Sequence, residues 1–251
     1  MRRYHDASAR ARATLPHEAD LVYDPASGQA LDWFHGAPGG PVLLWIHGGY
    51  WRALSRADNA CVAPGLVAAG IHVAVMDYSL APAVTLDEIV RQVRAAAAWV
   101  HRHAAARGAD PARLFIGGSS AGGHLCAMAA APGGDAPPLR GILPLSGLFD
   151  LEPIRLSHIN AWLALDEAAV RRLSPLHHLP ARPTRMLAAY GGRETREFQR
   201  QTDDYAAAWR AAGHDALVLP QPTRHHFDIV LGLGDPADPL CAAAGRFLRE
   251  R

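Results

Sequence analysis

The sequence predicts an α/β fold built on a doubly wound, mostly parallel sheet, and two patterns in the chain support this prediction. Continuous apolar runs of strand length stand at 41–46, 71–76, 114–116, 139–145, 186–190 and 216–219. Apolar residues at helical spacing stand over 86–106, 197–212 and 237–249. Continuous apolar runs are typical of strands buried on both faces. Strands that alternate with helices then indicate a parallel sheet with helices on both faces.

Local signals define the elements in the first half of the chain. The first 30 residues mix Arg, Ala and His with little periodicity, so we expect an irregular arm or a short helix against the body. After the first two apolar runs, Thr85 and Glu88 form a capping box. Apolar residues at helical spacing follow it and predict one amphipathic helix over 86–106.

The second half of the chain continues the alternation and adds an insertion. Short helical fragments at 159–165 and 167–172 stand between two of the apolar runs, within a segment of about 151–175. We expect this segment to form a small cap over the site. A chain of 251 residues, 49% of them hydrophobic, can bury one substantial core, so a single domain is expected.

Composition excludes several function classes. Lys and Arg number 25 against 24 Asp and Glu, without clustering of either sign, which argues against a nucleic-acid or membrane-surface partner. The chain contains no lysine, which excludes a Schiff-base enzyme and a Walker A phosphate loop. We therefore expect the partner to be a small-molecule substrate that is neutral or weakly charged.

Cysteine usage and the N-terminus indicate the compartment. Cys61, Cys126 and Cys241 are odd in number and widely spaced, which argues against a disulfide framework. No apolar segment follows the first basic residues, and no stretch approaches membrane-spanning length. The sequence therefore predicts a soluble cytoplasmic protein. It leaves the oligomeric state open, with a homodimer as one alternative.

One short motif supplies a candidate nucleophile. Ser120 is the central residue of the motif Gly-Ser-Ser-Ala-Gly at 118–122, with an apolar run before it and a helix-forming stretch, 124–131, after it. A serine in G-x-S-x-G between a strand and a helix is the nucleophile elbow of the α/β-hydrolase fold. The turn is so tight that its flanking positions admit almost no side chain, so both are glycine.

A serine nucleophile needs a base, and in this fold the base is a histidine near the C-terminus, after the last strands. His225 and His226 lie there, whereas His214 precedes the final predicted strand. Spacing alone does not choose between the adjacent pair.

The base in turn needs a carboxylate that follows a strand between the elbow and the histidine. Glu194 stands four residues beyond the apolar run 186–190, and Asp150 follows the preceding run. Glu197 fits better as a first-turn glutamate of the next helix, where it would complement the helix dipole. We favour Glu194 over Asp150.

Backbone donors for a developing oxyanion are expected from glycines that directly follow an early buried strand. The segment His-Gly-Gly-Tyr at 47–50 follows the run 41–46. We expect the amides of Gly49 and Tyr50, or of Gly48 and Gly49, to join that of Ala121. The amide of Ala121 stands at a helix N-terminus, where N–H groups attract anions.

Taken together, these motifs resemble the serine-dependent arylformamidases, or kynurenine formamidases, of the α/β-hydrolase superfamily and the bacterial esterases related to them. The shared motifs are H-G-G-x-W at 47–51, D-Y-x-L-A-P at 77–82, the elbow at 118–122, and segments at 146–151, 174–176, 197–201 and 226–228. The resemblance covers nearly the whole chain and implies His226 as the base and Glu194 as the acid. It departs from the family at Glu194, where Asp is usual, and at Ser119, where His commonly precedes the serine.

The resemblance also implies a reaction and a substrate pocket. It implies hydrolysis, through an acyl-enzyme, of an aryl formamide such as N-formylkynurenine or of a small carboxylic ester, with no metal or organic cofactor. We expect substrate contacts from Tyr50 and Trp51, beside the glycine loop, and from Ser119, beside the nucleophile. Phe149 and Trp162, near the predicted cap, are further candidates, although core packing is the stronger interpretation of these two.

Three alternative function classes are compatible with parts of the sequence. A general short-chain carboxylesterase would use the same residues and differ in its substrate. A non-catalytic ligand-binding protein of this fold would not need a nucleophile, base and acid together. A metal-dependent amidohydrolase would need clustered ligands, whereas His101 and His103 are two residues apart on a predicted helix and face different ways.

Overall fold

An eight-stranded sheet organises the described part of the chain. The computed structural model describes residues 2–134 and 137–250. The strands are β1 (His17–Asp24), β2 (Gln29–Phe34), β3 (Gly40–Ile46), β4 (His72–Met76), β5 (Ala109–Ser119), β6 (Gly141–Leu145), β7 (Arg185–Gly191) and β8 (Ala216–Gln221). They form a sheet in the order β1-β2-β4-β3-β5-β6-β7-β8.

Helices precede, connect and follow these strands. They are α1 (Arg2–Thr14), α2 (Arg56–Asn59), α3 (Ala63–Ala68), α4 (Leu86–His103), α5 (Ala121–Ala130), α6 (Glu152–Arg155), α7 (Asn160–Leu163), α8 (Glu167–Leu173), α9 (Arg196–Ala211) and α10 (Pro239–Arg249). None of those in the described ranges is long and apolar enough to cross a bilayer.

The sheet is mostly parallel, as the sequence predicted. Strands β4, β3, β5, β6, β7 and β8 pair in parallel, whereas β2 pairs antiparallel with β4 and β1 pairs antiparallel with β2. The six apolar runs correspond to β3 through β8, and the three predicted helices correspond to α4, α9 and α10. The predicted fold class is therefore confirmed.

The first 30 residues hold more structure than their sequence suggested. They contain the helix α1 and then β1, which pairs antiparallel with β2. Strand β1 lies at the sheet edge, with register shifts at 18–21 and 22–24 and a left-handed backbone at Asp20, where φ is 57°. Such a strand is half exposed and shows neither apolar pattern by which strands are recognised. Of the two alternatives expected for this segment, the short helix is present as α1 and the irregular arm is wrong. The strand β1 was not predicted.

Two apolar layers cover the sheet, one on each face. In β3, Val42, Leu44 and Ile46 pack into one layer, and Leu43 and Trp45 pack into the other. All five side chains are fully buried, which explains why this strand reads as a continuous apolar run. Helices α4, α5 and α9 bury apolar side chains in the first layer, and α3 and α10 bury theirs in the second.

The insertion between β6 and β7 forms the three short helices α6, α7 and α8. Leu163 and Leu173 are among its buried side chains and pack on the first apolar layer. Trp162 reaches from α7 to the loop after β3, where its indole Nε1 donates to the carbonyl of Tyr50 at 3.2 Å. The guanidinium of Arg52 lies 4.6 Å from the centre of the same indole. The insertion therefore rests against the loop that follows β3.

Candidate active site

Five loops meet at one edge of the sheet. They follow β3, β5, β6, β7 and β8, and because these parallel strands all end at that edge, their loops converge there. In chain order the loops carry Gly48, Ser120, Ser146, Glu194 and His226. Residues from distant parts of the chain are thereby brought together.

Ser120 stands on a sharp turn between β5 and α5. Its backbone has φ 58° and ψ −118°, which L-residues rarely adopt, and its N–H donates to the carbonyl of Leu145 at 2.8 Å. A Cβ on Gly118 would lie 2.4 Å from the carbonyl oxygen of Gly122. A Cβ on Gly122 would lie 2.1 Å from the carbonyl oxygen of Ile46. The close approach of three backbone segments therefore requires both flanking glycines.

The loop after β3 lies directly against the turn that carries Ser120. A Cβ on Gly48 would lie 2.8 Å from the carbonyl oxygen of Ser119 and 3.3 Å from the Cβ of Ser120. The next residue, Gly49, has φ 97°, and a Cβ there would lie 2.3 Å from the carbonyl oxygen of Ala53. The loop approaches Ser120 this closely because these two positions carry no side chain.

Tyr78 fixes the orientation of this loop. Its hydroxyl donates a shared hydrogen bond to the carbonyls of His47 and Gly48, at 3.1 and 3.2 Å, and its ring stacks on the His47 imidazole at 4.1 Å. A planar trans peptide points its C=O and N–H in opposite directions, so the N–H groups of Gly48 and Gly49 turn away from Tyr78. Burial raises the pKa of Tyr78, which keeps its hydroxyl a donor, and burial lowers the pKa of His47.

Backbone N–H groups remain available at the nucleophile. Within residues 2–134 and 137–250, none of the backbone hydrogen bonds outside helices and strands uses the N–H of Gly49, Tyr50 or Ala121. Ala121 is the first residue of α5, so its N–H has no partner within the helix. These groups are the expected oxyanion donors, together with Gly48. Their role stays a prediction.

A buried carboxylate holds the candidate base. Nδ1 of His226 lies 3.1 Å from Oε2 of Glu194, whose side chain is fully buried. The other oxygen, Oε1, accepts from the hydroxyl of Ser146 at 2.6 Å and from the N–H of Gly191 at 2.7 Å. These two donors orient the carboxylate, and since Nδ1 donates to it, Nε2 of His226 is the nitrogen free to accept a proton.

The competing residues have other partners. Oδ1 of Asp150 accepts from the N–H of Glu152 at 3.0 Å, two residues along its own loop. Nδ1 of His225 accepts from the N–H of Phe227 at 3.1 Å, within its own turn. Of the alternatives that spacing left open, the structure thus pairs Glu194 with His226 and leaves Asp150 and His225 in local turns.

Ser120 and His226 line the same cavity, whose volume is about 330 Å³. Ser119 and Tyr50, both predicted as substrate contacts, also border it. Further wall residues are Tyr4, Leu54, Asn59 and Phe227. The predicted nucleophile and base therefore open onto one space that a small molecule can enter.

Two predicted substrate contacts lie elsewhere. Trp51 is fully buried, and its indole Nε1 donates to Nδ1 of His124 at 3.2 Å. Phe149 is 1% exposed and stacks on Tyr205 with ring centroids 4.2 Å apart. Both rings pack in the first apolar layer, and neither residue is among those that line the cavity. The substrate-contact prediction is therefore wrong for Trp51, and Phe149 shows the core packing that was the stronger interpretation of its sequence position rather than a substrate contact. Trp162, as described above, contacts the loop after β3.

Sequence reasoning missed three residues at this site. Tyr4 and Asn59 border the cavity, and Ser146 supports Glu194. Tyr4 shares the buried face of α1 with Ser8 and Ala11 at helical spacing, which was a usable signal. Ser146 is the first residue of the segment 146–151 that the family resemblance includes, whereas no comparable pattern marks Asn59.

Other kinds of site are less well supported. In the described ranges, no three His, Cys, Asp or Glu side chains are placed to hold a metal ion. A larger groove of about 650 Å³ runs beside α4 and carries Arg91 and Arg172. Arg91 pairs with Asp24 at 2.5 Å and Arg172 with Asp87 at 2.8 Å, so both arginines already have acidic partners.

A serine at a strand–helix turn and a carboxylate-held histidine, on a mostly parallel sheet, place the protein among the hydrolases. A family model described as the α/β hydrolase fold matches residues 43–172, from β3 to α8. The chain therefore belongs to the α/β hydrolase fold family, and it is a hydrolase enzyme.

Individual relatives support the same assignment. The chain is similar to kynurenine formamidase of Danio rerio, with 29% identity over 239 residues that cover 90% of this chain and 80% of the relative. It is similar to esterase LipQ of Mycobacterium tuberculosis, with 26% identity and coverage of 77% and 52%. Esterase LipW of Mycobacterium marinum shares the fold, with a TM-score of 0.82 at 23% identity, covering 99% of this chain and 86% of that structure.

Proposed function

We propose that the protein is a serine hydrolase that cleaves an aryl formamide, or a small carboxylic ester, through an acyl-enzyme. One observation carries this proposal. Ser120 and His226 line a single cavity, while the buried carboxylate of Glu194 holds the opposite nitrogen of the same imidazole. A serine hydroxyl needs such a base to act as a nucleophile at neutral pH.

The reaction follows from these positions. Oγ of Ser120 attacks the substrate carbonyl carbon as its proton passes to Nε2 of His226, and the carbonyl electron pair moves to the oxygen. The N–H groups of Gly49, Tyr50 and Ala121 stabilise this oxyanion. When the tetrahedral intermediate collapses, the bond to the leaving group breaks and His226 donates its proton to that group. Water then repeats the sequence on the acyl-enzyme and restores the serine.

The remaining groups act through the imidazole and the loop. The imidazolium forms once in each half of the reaction, and the negative charge of Glu194 stabilises it each time. Ser146 and Gly191 hold that carboxylate by hydrogen bonds of 2.6 and 2.7 Å. Tyr78 holds the glycine loop in the orientation that presents its N–H groups.

An aryl formamide is the substrate class that we favour. The Danio rerio relative, which aligns with 90% of this chain, is a kynurenine formamidase. Tyr4, Tyr50 and Phe227 border the cavity and suit a flat ring on the leaving group. The cavity volume of about 330 Å³ limits the substrate to a small molecule.

A short-chain carboxylesterase is the second candidate, because esterase LipQ is also a relative. Both reactions use the same nucleophile, base and acid. They differ in the leaving group: an amide nitrogen leaves less readily than an ester oxygen, so formamide cleavage depends more on the proton that His226 donates.

We also propose that the enzyme works in the cytoplasm on a small molecule. Cys61, Cys126 and Cys241 are free and buried. Free thiols are usual in a reducing compartment.

Replacement of Ser120 by alanine tests the proposed function. We expect kcat to fall by about a millionfold in Ser120→Ala. A fluorophosphonate probe should label the unmodified protein but not the variant. Hydrolysis retained by Ser120→Ala would contradict the serine mechanism. Comparison of N-formylkynurenine with short p-nitrophenyl esters then separates the two candidates, because activity on esters alone selects the carboxylesterase.

A further inference from the structure

Helix α1 and the segment that contains α2 form one wall of the cavity. The hydroxyl of Ser8 donates to the carbonyl of Asp58 at 2.7 Å and accepts from the N–H of Cys61 at 3.0 Å. Ser8 is fully buried, so these bonds are shielded from water and fasten α1 to this segment. Tyr4 lies one turn earlier on the same buried face, and Asn59 lies between the two bonded residues of the segment. Both residues line the cavity.

The side-chain amide of Asn59 has a hydrogen-bond partner at its nitrogen, and none of residues 2–134 and 137–250 donates to its oxygen. Its Nδ2 donates to the carbonyl of Ser55 at 3.2 Å. That bond fixes the amide orientation, because a carbonyl oxygen pairs with the NH₂ end and not with another oxygen. The residue is 1% exposed, yet no described residue donates to its side-chain oxygen. Among the described residues this acceptor therefore stays available to a donor that enters the cavity, which Asn59 lines.

The surroundings favour a ligand as the missing partner. The same cavity contains Ser120 and His226, and its other walls include the apolar side chains of Leu54, Phe227 and Val230. A polar group within largely apolar walls fixes the orientation of a bound molecule and provides specificity. An amide oxygen only accepts hydrogen bonds, so the matching group on the ligand is a donor.

We infer that Oδ1 of Asn59 accepts a hydrogen bond from the N–H of the scissile formamide and thereby selects formamides over esters. This inference rests on the proposed function. A secondary formamide carries one N–H on the nitrogen that leaves, whereas the corresponding ester oxygen carries no hydrogen. An ester bound in the same pose would bring its oxygen lone pairs against Oδ1, an unpaired and unfavourable contact.

The contact also assists expulsion of the amine. In the tetrahedral intermediate the nitrogen keeps its N–H and gains a localised lone pair. With the N–H held by Asn59, the lone pair is directed away from this wall and is available for the proton from His226. The nitrogen then leaves as the neutral amine, and the electron pair of the broken C–N bond stays with it. Asn59 therefore acts as a specificity-determining residue.

A matched set of substrates tests this inference. Formanilide and phenyl formate share the formyl and phenyl groups and differ in N–H against O, and N-methylformanilide removes the hydrogen from the amide. In Asn59→Leu, which keeps the approximate size and removes the acceptor, we expect kcat/KM for formanilide to fall about tenfold or more. We expect the value for phenyl formate to stay the same or rise, since that substrate has no N–H to lose and the variant removes the unfavourable contact between its oxygen and Oδ1.

A second variant and the third substrate keep the test decisive. Tyr4→Phe alters the same wall without touching Asn59 and should change both substrates by the same factor. A loss confined to formanilide in Tyr4→Phe would assign the recognition to the hydroxyl and overturn the inference. If Asn59→Leu fails to fold, the unmodified enzyme still tests the inference. Its kcat/KM for N-methylformanilide should be at least about tenfold lower than for formanilide. Equal cleavage of the two amides would overturn the inference.

Failure of the inference is distinguishable from failure of the proposed function. Parallel losses on formanilide and phenyl formate in Asn59→Leu would show a structural role for Asn59. Cleavage of phenyl formate but not of formanilide by the unmodified enzyme would overturn the inference and leave the serine hydrolase intact. Cleavage of neither substrate, with no fluorophosphonate labelling, would overturn the proposed function itself.

Discussion

The indole Nε1 of Trp51 donates a hydrogen bond to Nδ1 of His124 over 3.2 Å, with both rings fully buried. The other nitrogen of this imidazole, Nε2, donates to the carbonyl of Leu173 at 2.7 Å. A single neutral imidazole therefore joins three parts of the candidate site: the loop after β3, the helix that follows Ser120, and the end of α8. Trp51 thus supports the cavity from behind, although it does not line it.

Loss of this junction should destabilise the protein. In His124→Leu, the buried indole N–H and the carbonyl of Leu173 both lose their partners, so we expect the free energy of unfolding to fall by about 2–4 kcal/mol. Trp51→Phe removes one of the two bonds and should have a smaller effect. Urea unfolding of the three proteins checks this order. Equal stability of all three proteins would show that the two hydrogen bonds of His124 contribute nothing to the free energy of unfolding.

The same histidine should make stability depend on pH. Burial lowers the pKa of His124 from 6.5 to about 4. In the unfolded chain His124 is therefore protonated below about pH 6.5, whereas in the folded protein it is protonated only below about pH 4. The neutral imidazole contributes fully to the free energy of unfolding above pH 6.5. This contribution is lost as the pH falls from 6.5 towards 4, by about 3 kcal/mol in total.

A comparison of the unmodified protein with His124→Leu isolates this effect. His47, whose pKa burial also lowers, and the carboxylates are present in both proteins, so their contributions cancel. We expect the stability advantage of the unmodified protein to shrink between pH 7 and pH 4. Urea titrations at several pH values measure it, and an advantage that stays constant over this range would contradict the prediction.

Replacement of the buried carboxylate should abolish most activity without unfolding the site. Glu194→Gln keeps the size of the side chain but removes the charge that stabilises the imidazolium, so kcat should fall by about ten-thousandfold with little change in KM. Asp150→Asn is the matched control, since Asp150 bonds within its own loop. A large loss in Asp150→Asn, with activity preserved in Glu194→Gln, would reverse the assignment.

Much of this site was predictable because it lies where strands end. The apolar runs mark β3, β5, β7 and β8, and residues that follow parallel strands must meet at one edge. Ser120, Glu194 and His226 each stand just beyond such a run, so their proximity follows from chain order and periodicity. The choice of His226 over His225 required either the family resemblance or the structure.

The residues that sequence reasoning missed depend on docking between distant elements. Tyr4 borders the cavity because the hydroxyl of Ser8 fastens α1 to residues 58–61, a contact with no local signature. The wrong prediction for Trp51 has a different cause. An aromatic residue beside a glycine loop can point to either side of the backbone. The sequence does not show that the indole N–H of Trp51 donates to the buried imidazole of His124.

Gly122, two residues after Ser120, should be the position of this turn that tolerates replacement least. A Cβ on Gly122 would lie 2.1 Å from the carbonyl oxygen of Ile46 and 2.8 Å from that of His47, and both atoms belong to the backbone at the end of β3. Because backbone cannot move aside cheaply, Gly122→Ala should lower the free energy of unfolding by about 3 kcal/mol or more. The shift should also move the glycine loop relative to Ser120 and lower kcat.

Gly213→Ala supplies the control for this prediction. Gly213 has φ 86°, and a Cβ there would meet no atom within 4 Å, so its replacement carries the cost of an unfavourable backbone angle without a clash. That cost is about 1–2 kcal/mol, with no effect on kcat because Gly213 precedes β8 and so lies at the end of the parallel strands opposite the site. Urea unfolding and kcat measured on both variants separate the two causes. If Gly122→Ala proved as stable and as active as Gly213→Ala, the predicted clash between the new Cβ and the backbone at the end of β3 would be wrong.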